Sequence, residues 1–232
     1  MNDLTVVYYT ANVIPLCWEK FVTDTLLKSI GDLPLISVSQ KPMDFGRNIY
    51  VPDIGRTHMN IYRQMLWGAE AAETEYIAFV EDDVLLPPVH FLFRPTAPDV
   101  AAYNMNKWAL FTWMKPPVFN NYVRHSNAGC IIGRDMCIET LEERFARYPI
   151  DAEAQLKYWG EIGRYEGCMG IKIRKMEDFY PLTPHVFVSH ETGLGFQHLG
   201  IRKRPGQERV EEIPYWGKAS DIVAHYYGEN YE

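Results

Sequence analysis

The sequence predicts an α/β domain built on a mainly parallel, doubly wound sheet. Three observations point there. Strands and helices alternate over the first 81 residues. The strands are short apolar runs with little polar alternation, as expected of a sheet covered on both faces. The helices between them carry end signals in Pro, Thr and Gly. This order implies crossover connections and parallel pairing.

The first strand is Leu4-Thr5-Val6-Val7-Tyr8-Tyr9-Thr10, rich in β-branched and aromatic residues. Pro15 then opens a helix where no backbone N–H is needed. Trp18, Phe21, Val22 and Leu26 recur at helical spacing, and Gly31 follows the end. Leu35 to Val38 reads as the second strand and Asn48 to Val51 as the third. Thr57 and Asn60 are candidate caps for the next helix, whose inner stripe is Ile61, Met65, Leu66, Ala69 and Ala72. Tyr76 to Val80 is the fourth strand, apolar throughout and therefore central.

The second half is more mixed. Ala109 to Trp113 and Gly129 to Gly133 read as strands, separated by a loop from Lys115 through Asn127. A helix follows Asp135, with Ile138, Leu141, Phe145 and Tyr148 on one side and Pro149 as its stop. Asp151 caps a further helix with Leu156, Trp159 and Ile162 inside, and Val186 to Val188 is the last strand expected. From Gly193 onward Gly, Pro and charges increase, which reads as a long loop or mobile tail. The expected division is a domain over 1–192 and a lid or tail over 193–232. Within the domain, a first half covers about 1–100 and a second half about 101–192.

Composition narrows the class. A chain of 232 residues with 47% hydrophobic content can bury a full core. The 15 Tyr and 6 Trp exceed what a core usually takes, so some are expected to line an open cleft. A net charge of −7 argues against a general nucleic-acid surface. Cys17, Cys130, Cys137 and Cys168 show no CxxC spacing, which disfavours a zinc site and suggests free buried thiols in a reducing compartment. No apolar run approaches the roughly 18 residues of a membrane span, and a cytoplasmic protein without its own anchor is expected.

The strongest chemical signal is Glu81-Asp82-Asp83, directly after the fourth strand. Ligands of open α/β sheets sit outside the carboxyl ends of strands. Three adjacent acids repel one another unless a cation sits among them. Oxygen ligands at positions i and i+2 of extended backbone point the same way and suit Mg²⁺ or Mn²⁺. Such an ion neutralises a diphosphate leaving group. The plain alternative is a solvated acidic turn.

Tyr76-Ile77-Ala78-Phe79-Val80-Glu81-Asp82-Asp83 resembles the DxD-type motif of GT-A glycosyltransferases of the family-2 kind. The resemblance implies a Rossmann-like GT-A fold, with 1–100 as its donor half and 101–192 as its acceptor half, and a small mixed C-terminal acceptor and lid portion. It implies a nucleoside-diphosphate sugar donor, a hydroxyl acceptor, Mn²⁺ or Mg²⁺ at Asp83, and Glu81 on the donor's ribose or a metal-bound water. Asp82 joins the donor-binding residues. Ala128 to Asp135 looks like the segment leading to the acceptor site, and Asp151-Ala152-Glu153 like the start of a helix bearing the general base. Val186-Phe187-Val188-Ser189-His190 resembles the strand whose terminal His completes the metal site, with His185 and His198 as neighbouring alternatives. Inversion at the anomeric carbon is favoured.

Other candidates follow from sheet logic. Thr10, Ala11 and Asn12 end the first strand and face the nucleotide, with Asn12 able to pair with a base edge. Asp53 ends the third strand and is placed to meet base or ribose, and Arg63 to reach phosphate. Arg202-Lys203-Arg204 is the densest basic cluster and reads as a diphosphate clamp or a solvated surface run. Asp151 or Glu153 would take the acceptor's proton, although helix starts favour acids anyway. Glu161 and Glu166 are further carboxylates on the same stretch. Trp108, Trp113 and Tyr122 offer a stacking platform for an acceptor sugar or belong to the core. Rival readings are the same chemistry on a modified nucleic-acid base, a sugar-1-phosphate nucleotidyltransferase, or a non-catalytic nucleotide- or glycan-binding module. Ala11 to Pro15 lacks the Gly-rich basic stretch of the nucleotidyltransferases.

Overall fold

The computed structural model describes residues 3–149, 159–194 and 208–228. Strand β1 (Leu4–Thr10) is wholly buried, and helix α1 (Leu16–Ile30) runs from Pro15 to Gly31. Strands β2 (Leu35–Ser39) and β3 (Arg47–Tyr50) follow, then helix α2 (His58–Ala71) and strand β4 (Tyr76–Glu81). Thr57 caps α2, its hydroxyl accepting from the Asn60 N–H at 3.2 Å. β1 lies parallel between β2 and β4, and β3 forms the half-exposed edge beyond β2.

The large sheet continues past β4 with β9 (Cys130–Gly133), β6 (Val100–Asn104) and β10 (Lys175–Phe179). Only β9 runs antiparallel to its neighbours β4 and β6. The expected mixed α/β architecture with a mostly parallel sheet is therefore present. Helix α3 (Arg134–Arg147) follows β9 and packs beside α2. Buried residues of the two helices, among them Met65, Ala69, Cys137 and Leu141, cover one sheet face through Val7, Ile77 and Phe79. On the other face Leu26 and Ile30 of α1 meet Val6, Tyr8, Ala78 and Val80. Full burial of each Val, Leu, Ile, Phe or Met among them contributes about 1.5–3 kcal/mol.

Gly68 sets the approach of α2. A Cβ there would lie 2.3 Å from Val7 Cγ1, so only glycine lets the helix settle this low on β1. The close fit brings Gln64 Nε2 to the carbonyls of Thr10, at 2.8 Å, and Val38, at 3.0 Å. The ends of β1 and β2 are thereby fixed to one another from above.

A second sheet was not foreseen as separate. It comprises β5 (Val84–Leu85), β7 (Lys107–Phe111), β8 (Phe119–Asn121), β11 (His185–Ser189) and β12 (Arg209–Val210). The strand expected at Ala109 to Trp113 starts two residues earlier, and the expected loop from Lys115 contains β8. β6 and β10 also escaped the reading: Val-Ala-Ala-Tyr-Asn has weak strand propensity, and Lys-Met-Glu-Asp-Phe is mostly polar.

The expectation of a loop or tail needs correction over 208–228. This stretch forms β12, a hairpin of β13 (Glu212–Ile213) and β14 (Gly217–Lys218), and the last described helix. That helix spans Ala219–Tyr227, after the short helix α4 (Glu166–Met169), and is labelled α5. Ile222, Val223 and Tyr226 pack with Trp18 and Val22 of α1. Gly and Pro content marked the region as loop, while the apolar stripe of one short helix outweighs it locally. Val186 to Val188 is thus not the last strand.

All four cysteines are free thiols; Cys130 and Cys137 are buried, but Cys17 and Cys168 are exposed, contrary to expectation. Among the described residues no helix is long and apolar enough to cross a membrane.

Candidate functional site

The chain leaves β1 toward β2 and β3 on one side and returns as β4 on the other. That reversal of strand order opens a crevice at the carboxyl ends of β1 and β4. Tyr9 pairs in register with Glu81 there. The crevice is a cleft of about 180 Å³, lined by Thr10, Ala11, Glu81, Asp82 and Asp83 from these strand ends. The segment 187–194, including His190, forms the facing wall, and the start of α2 closes one side.

The three acids point to different partners. Glu81 accepts a 2.7 Å bond from the Tyr9 hydroxyl. Asp82 accepts from the Thr10 hydroxyl, which in turn accepts from the Asn12 N–H at 2.8 Å. The Trp18 indole donates to the Asp82 carbonyl at 2.9 Å. Asp83 Oδ2 stands 3.8 Å from His190 Nε2, and the Asp83 carbonyl accepts from the Val188 N–H at 2.7 Å. β4 ends at Glu81, and Asp82 and Asp83 form the turn into β5, so the extended backbone expected across the triplet is absent and the turn sends the three carboxylates to different partners.

Electrostatics follow this division. Enclosure by protein pushes the Asp82 carboxyl up to about 7, with Glu81 and Glu19 adding to the rise. The Thr10 hydrogen bond and the nearby Arg56 oppose it. Tyr9 is raised well above the ordinary phenol range by burial and by the Glu81 charge, so it remains a donor.

His190 is buried and precisely oriented by its second nitrogen being engaged: Nδ1 sits 2.8 Å from the Thr192 hydroxyl. Its ring lies 5.5 Å from that of Tyr226, which is 5.8 Å from Trp18. Among the described residues no group of three or more His, Cys, Asp or Glu is spaced to hold a metal. Asp83 and His190 face each other across the cleft, and a cation there would have to take its remaining ligands from substrate and water. Adjacent ligands of an octahedral ion with bonds of about 2.1 Å lie roughly 3 Å apart, so the Asp83 and His190 side chains, at 3.8 Å, would have to close in on a bound ion.

Several expected residues are elsewhere. Asn12 takes a left-handed backbone (φ 51°), and its Oδ1 accepts from the Gln40 and Lys41 N–H groups, both at 2.9 Å. Its carboxamide is a brace between strand ends rather than a reader of a base edge. Asp53 is not at a strand end; β3 stops at Tyr50, and Asp53 is exposed in a turn with φ 58°. Arg63 donates to Asn60 Oδ1 and lies over the Phe145 ring at 5.4 Å, outside the cleft lining. Asp151, Glu153, Arg202, Lys203 and Arg204 fall outside the described residues. His185 is wholly buried and burial holds it well below the usual imidazole range. Glu166 is buried against Arg144 and does not face the cleft.

Arg56 was missed. It lines the cleft and donates to the Thr192 carbonyl on the opposite wall. Its signal in the sequence was Gly55-Arg56-Thr57, a left-handed glycine and a helix cap enclosing one cation. Gln40, His58, Asn60 and Gln64 complete that side.

Glu161 is not among the residues that line the cleft. Its side chain is only 12% exposed and pairs with Arg164 at 3.0 Å. Its charge, like that of Glu81, acts on the Tyr62 hydroxyl, which accepts from Asn127 Nδ2 at 3.1 Å. Trp108 belongs with the second-sheet core, and Tyr122 stacks on Lys107 at 5.6 Å. Trp113 packs 5.4 Å from Phe111.

No protein-family model and no curated protein matches the sequence. One solved structure to which the chain is similar is the crystal structure of a glycosyltransferase involved in the glycosylation of the major capsid of PBCV-1. The identity is 11%, the TM-score 0.44, and the match covers 80% of this chain and 93% of that one. A likeness this distant assigns no activity.

Proposed function

We propose that this chain transfers a sugar from a nucleoside-diphosphate donor to a hydroxyl acceptor. The observation that carries the reading is the acidic triplet at the β1–β4 crevice, with Asp83 facing His190 from the second sheet. A divalent cation at that pair, Mn²⁺ or Mg²⁺, supplies charge neutralisation for the departing diphosphate. Arg56 and the N-terminal turn of α2 line the same cleft and favour phosphate oxygens. Glu81, steadied by Tyr9, is placed to accept hydrogen bonds from ribose or sugar hydroxyls.

In the inverting form of this reaction the acceptor oxygen bonds to the anomeric carbon as the bond to the diphosphate oxygen breaks. The electron pair of that bond leaves with the diphosphate. The acceptor's proton passes to a carboxylate. We assign that role to Asp151 or Glu153, with Glu161 as a weaker candidate on the same stretch.

The test is calorimetric titration of nucleoside diphosphates with Mn²⁺ and with EDTA, followed by hydrolysis or transfer assays on a panel of nucleotide sugars. Metal-dependent binding and turnover of at least one donor is expected. Binding of equal strength in EDTA removes the metal assignment, and absence of turnover across the panel removes the reaction.

A further inference from the structure

His190 follows a strand end whose backbone is tied on two sides. The Thr112 N–H donates to the Ser189 carbonyl at 3.0 Å, and the Val188 N–H to the Asp83 carbonyl at 2.7 Å. Beyond His190 the chain turns at once, the Gly193 N–H donating to the His190 carbonyl at 3.0 Å. A Cβ on Gly193 would lie 3.1 Å from that carbonyl oxygen and 3.7 Å from Cε1 and Nε2 of the imidazole, so the turn packs against the ring it follows. Arg56 holds the Thr192 carbonyl from the other wall of the cleft.

Within this turn Thr192 Oγ1 reaches the imidazole itself, 2.8 Å from Nδ1. Behind it stands α5. The buried Tyr226 ring lies 5.5 Å from the His190 ring, inclined by 38°, and its hydroxyl is hydrogen-bonded to the Thr192 side chain. The next residue, Tyr227, reaches Glu191 Oε1 with its hydroxyl at 3.4 Å. Two consecutive tyrosines of α5 therefore meet the two residues that follow His190. Tyr226 also packs 5.8 Å from Trp18, whose indole donates to the Asp82 carbonyl at 2.9 Å. One ring of α5 thus stands behind both the histidine and the acidic turn.

A hydroxyl suits this place. With Nδ1 tied to Thr192, the imidazole is turned so that Nε2 faces Asp83. A threonine hydroxyl both donates and accepts, so it can hold either neutral tautomer. It gives its proton to a bare Nδ1, or accepts from Nδ1–H when Nε2 uses its lone pair on a cation. The Tyr226 hydroxyl serves as the outer partner in both cases. The ring keeps one orientation whether or not a cation is bound.

We propose that Thr192 and Tyr226 are positioning residues, through which α5 holds the His190 ring with Nε2 toward Asp83 and so becomes part of the donor site. This rests on the proposed function for what the two ligands hold.

The experiment uses the full chain and follows Mn²⁺ binding by electron paramagnetic resonance, and the imidazole ¹⁵N shifts of His190 without metal. Thr192→Val keeps the shape and removes the hydroxyl, and it is expected to weaken Mn²⁺ binding by about tenfold or more. Tyr226→Phe should weaken it by about threefold or more, as one hydrogen bond is lost. Thr192→Ser restores the hydroxyl without the methyl group and should bind within about twofold of wild type. Both weakened variants should shift the His190 ¹⁵N signals. Wild-type Mn²⁺ affinity in Thr192→Val, or a Thr192→Ser variant as weak as Thr192→Val, overturns the proposal. If the wild-type chain binds no Mn²⁺, the metal assignment fails by itself. Unshifted ¹⁵N signals in Thr192→Val and Tyr226→Phe would then overturn the positioning role, and shifted ones would uphold it.

Discussion

His190 reaches Asp83 from another sheet: Asp83 follows β4 of the large sheet, while His190 follows β11 of the small one, and 3.8 Å separates Nε2 from Oδ2. The Val188 N–H to Asp83 carbonyl bond, at 2.7 Å, fixes the two strand ends together. Asp83→Ala is expected to abolish metal-dependent diphosphate binding while the fold survives, because it removes one of three crowded acids. Calorimetry beside a melting curve checks both halves. A variant that unfolds, or binds as wild type does, would make the triplet structural.

His190→Ala should raise the Mn²⁺ concentration needed for turnover, with partial rescue by excess metal. His185→Ala should behave differently. His185 is wholly buried, so its loss leaves a cavity and lowers the melting temperature without shifting the Mn²⁺ titration. Equal Mn²⁺ curves for wild type and His190→Ala would place the second ligand elsewhere.

Arg56→Ala should weaken diphosphate binding by roughly tenfold or more, as a charged hydrogen bond contributes about 1.5–3 kcal/mol. Arg63→Ala should leave affinity nearly unchanged, since that guanidinium is engaged by Asn60 and Phe145. The reverse ranking would restore Arg63 to the site.

Asn12→Ala should cost about 1–3 kcal/mol of stability, because two backbone N–H groups lose their acceptor. Chemical denaturation measures it. A neutral substitution would show that solvent replaces the brace.

Burial lowers the His90 imidazole to about 3. Its unfolded value is about 6.5, so the unfolded chain binds a proton below that pH while the native chain does not. Stability from the neutral ring is therefore fully present above pH 6.5 and is lost as pH falls toward 3. Asp82, raised to about 7, acts in the opposite direction, and comparison with His90→Gln cancels it. From pH 7 to 5 the stability gap between wild type and His90→Gln should narrow, by up to about 1.4 kcal/mol per pH unit. A gap independent of pH would show that His90 is reached by water or proton in the native state.

Much of this was legible in sequence because it is local. The apolar run of β4, Pro15 and Gly31 around α1, and Thr57 before α2 each state their structure within a few residues. Thr10, Ala11 and the acidic triplet could be placed at one crevice because strand ends follow from strand assignments. The same logic put His190, at the end of β11, beside that crevice. Asn12 misled because its type suits both a nucleotide contact and a left-handed turn, and only the Gln40 and Lys41 bonds decide between them. Arg56 could not be ranked above Arg63, since what separates them is the wall supplied by Thr192, 136 residues away. The second sheet escaped for the same reason: β5 is two residues long and exists through β11.

Tyr226 touches both Trp18 and His190, and it belongs to α5, which emerges from the ribosome after every other described element. The Cys17 contact with its carbonyl closes a span of 209 residues. Loop-closure entropy makes such a contact only slightly costlier than a shorter one, but contacts this distant form late. During synthesis the large sheet and its crevice can assemble first. The histidine and the indole that shape the acidic turn gain their shared neighbour only at the end. A growing chain would thus display a folded core before it displays a finished cleft.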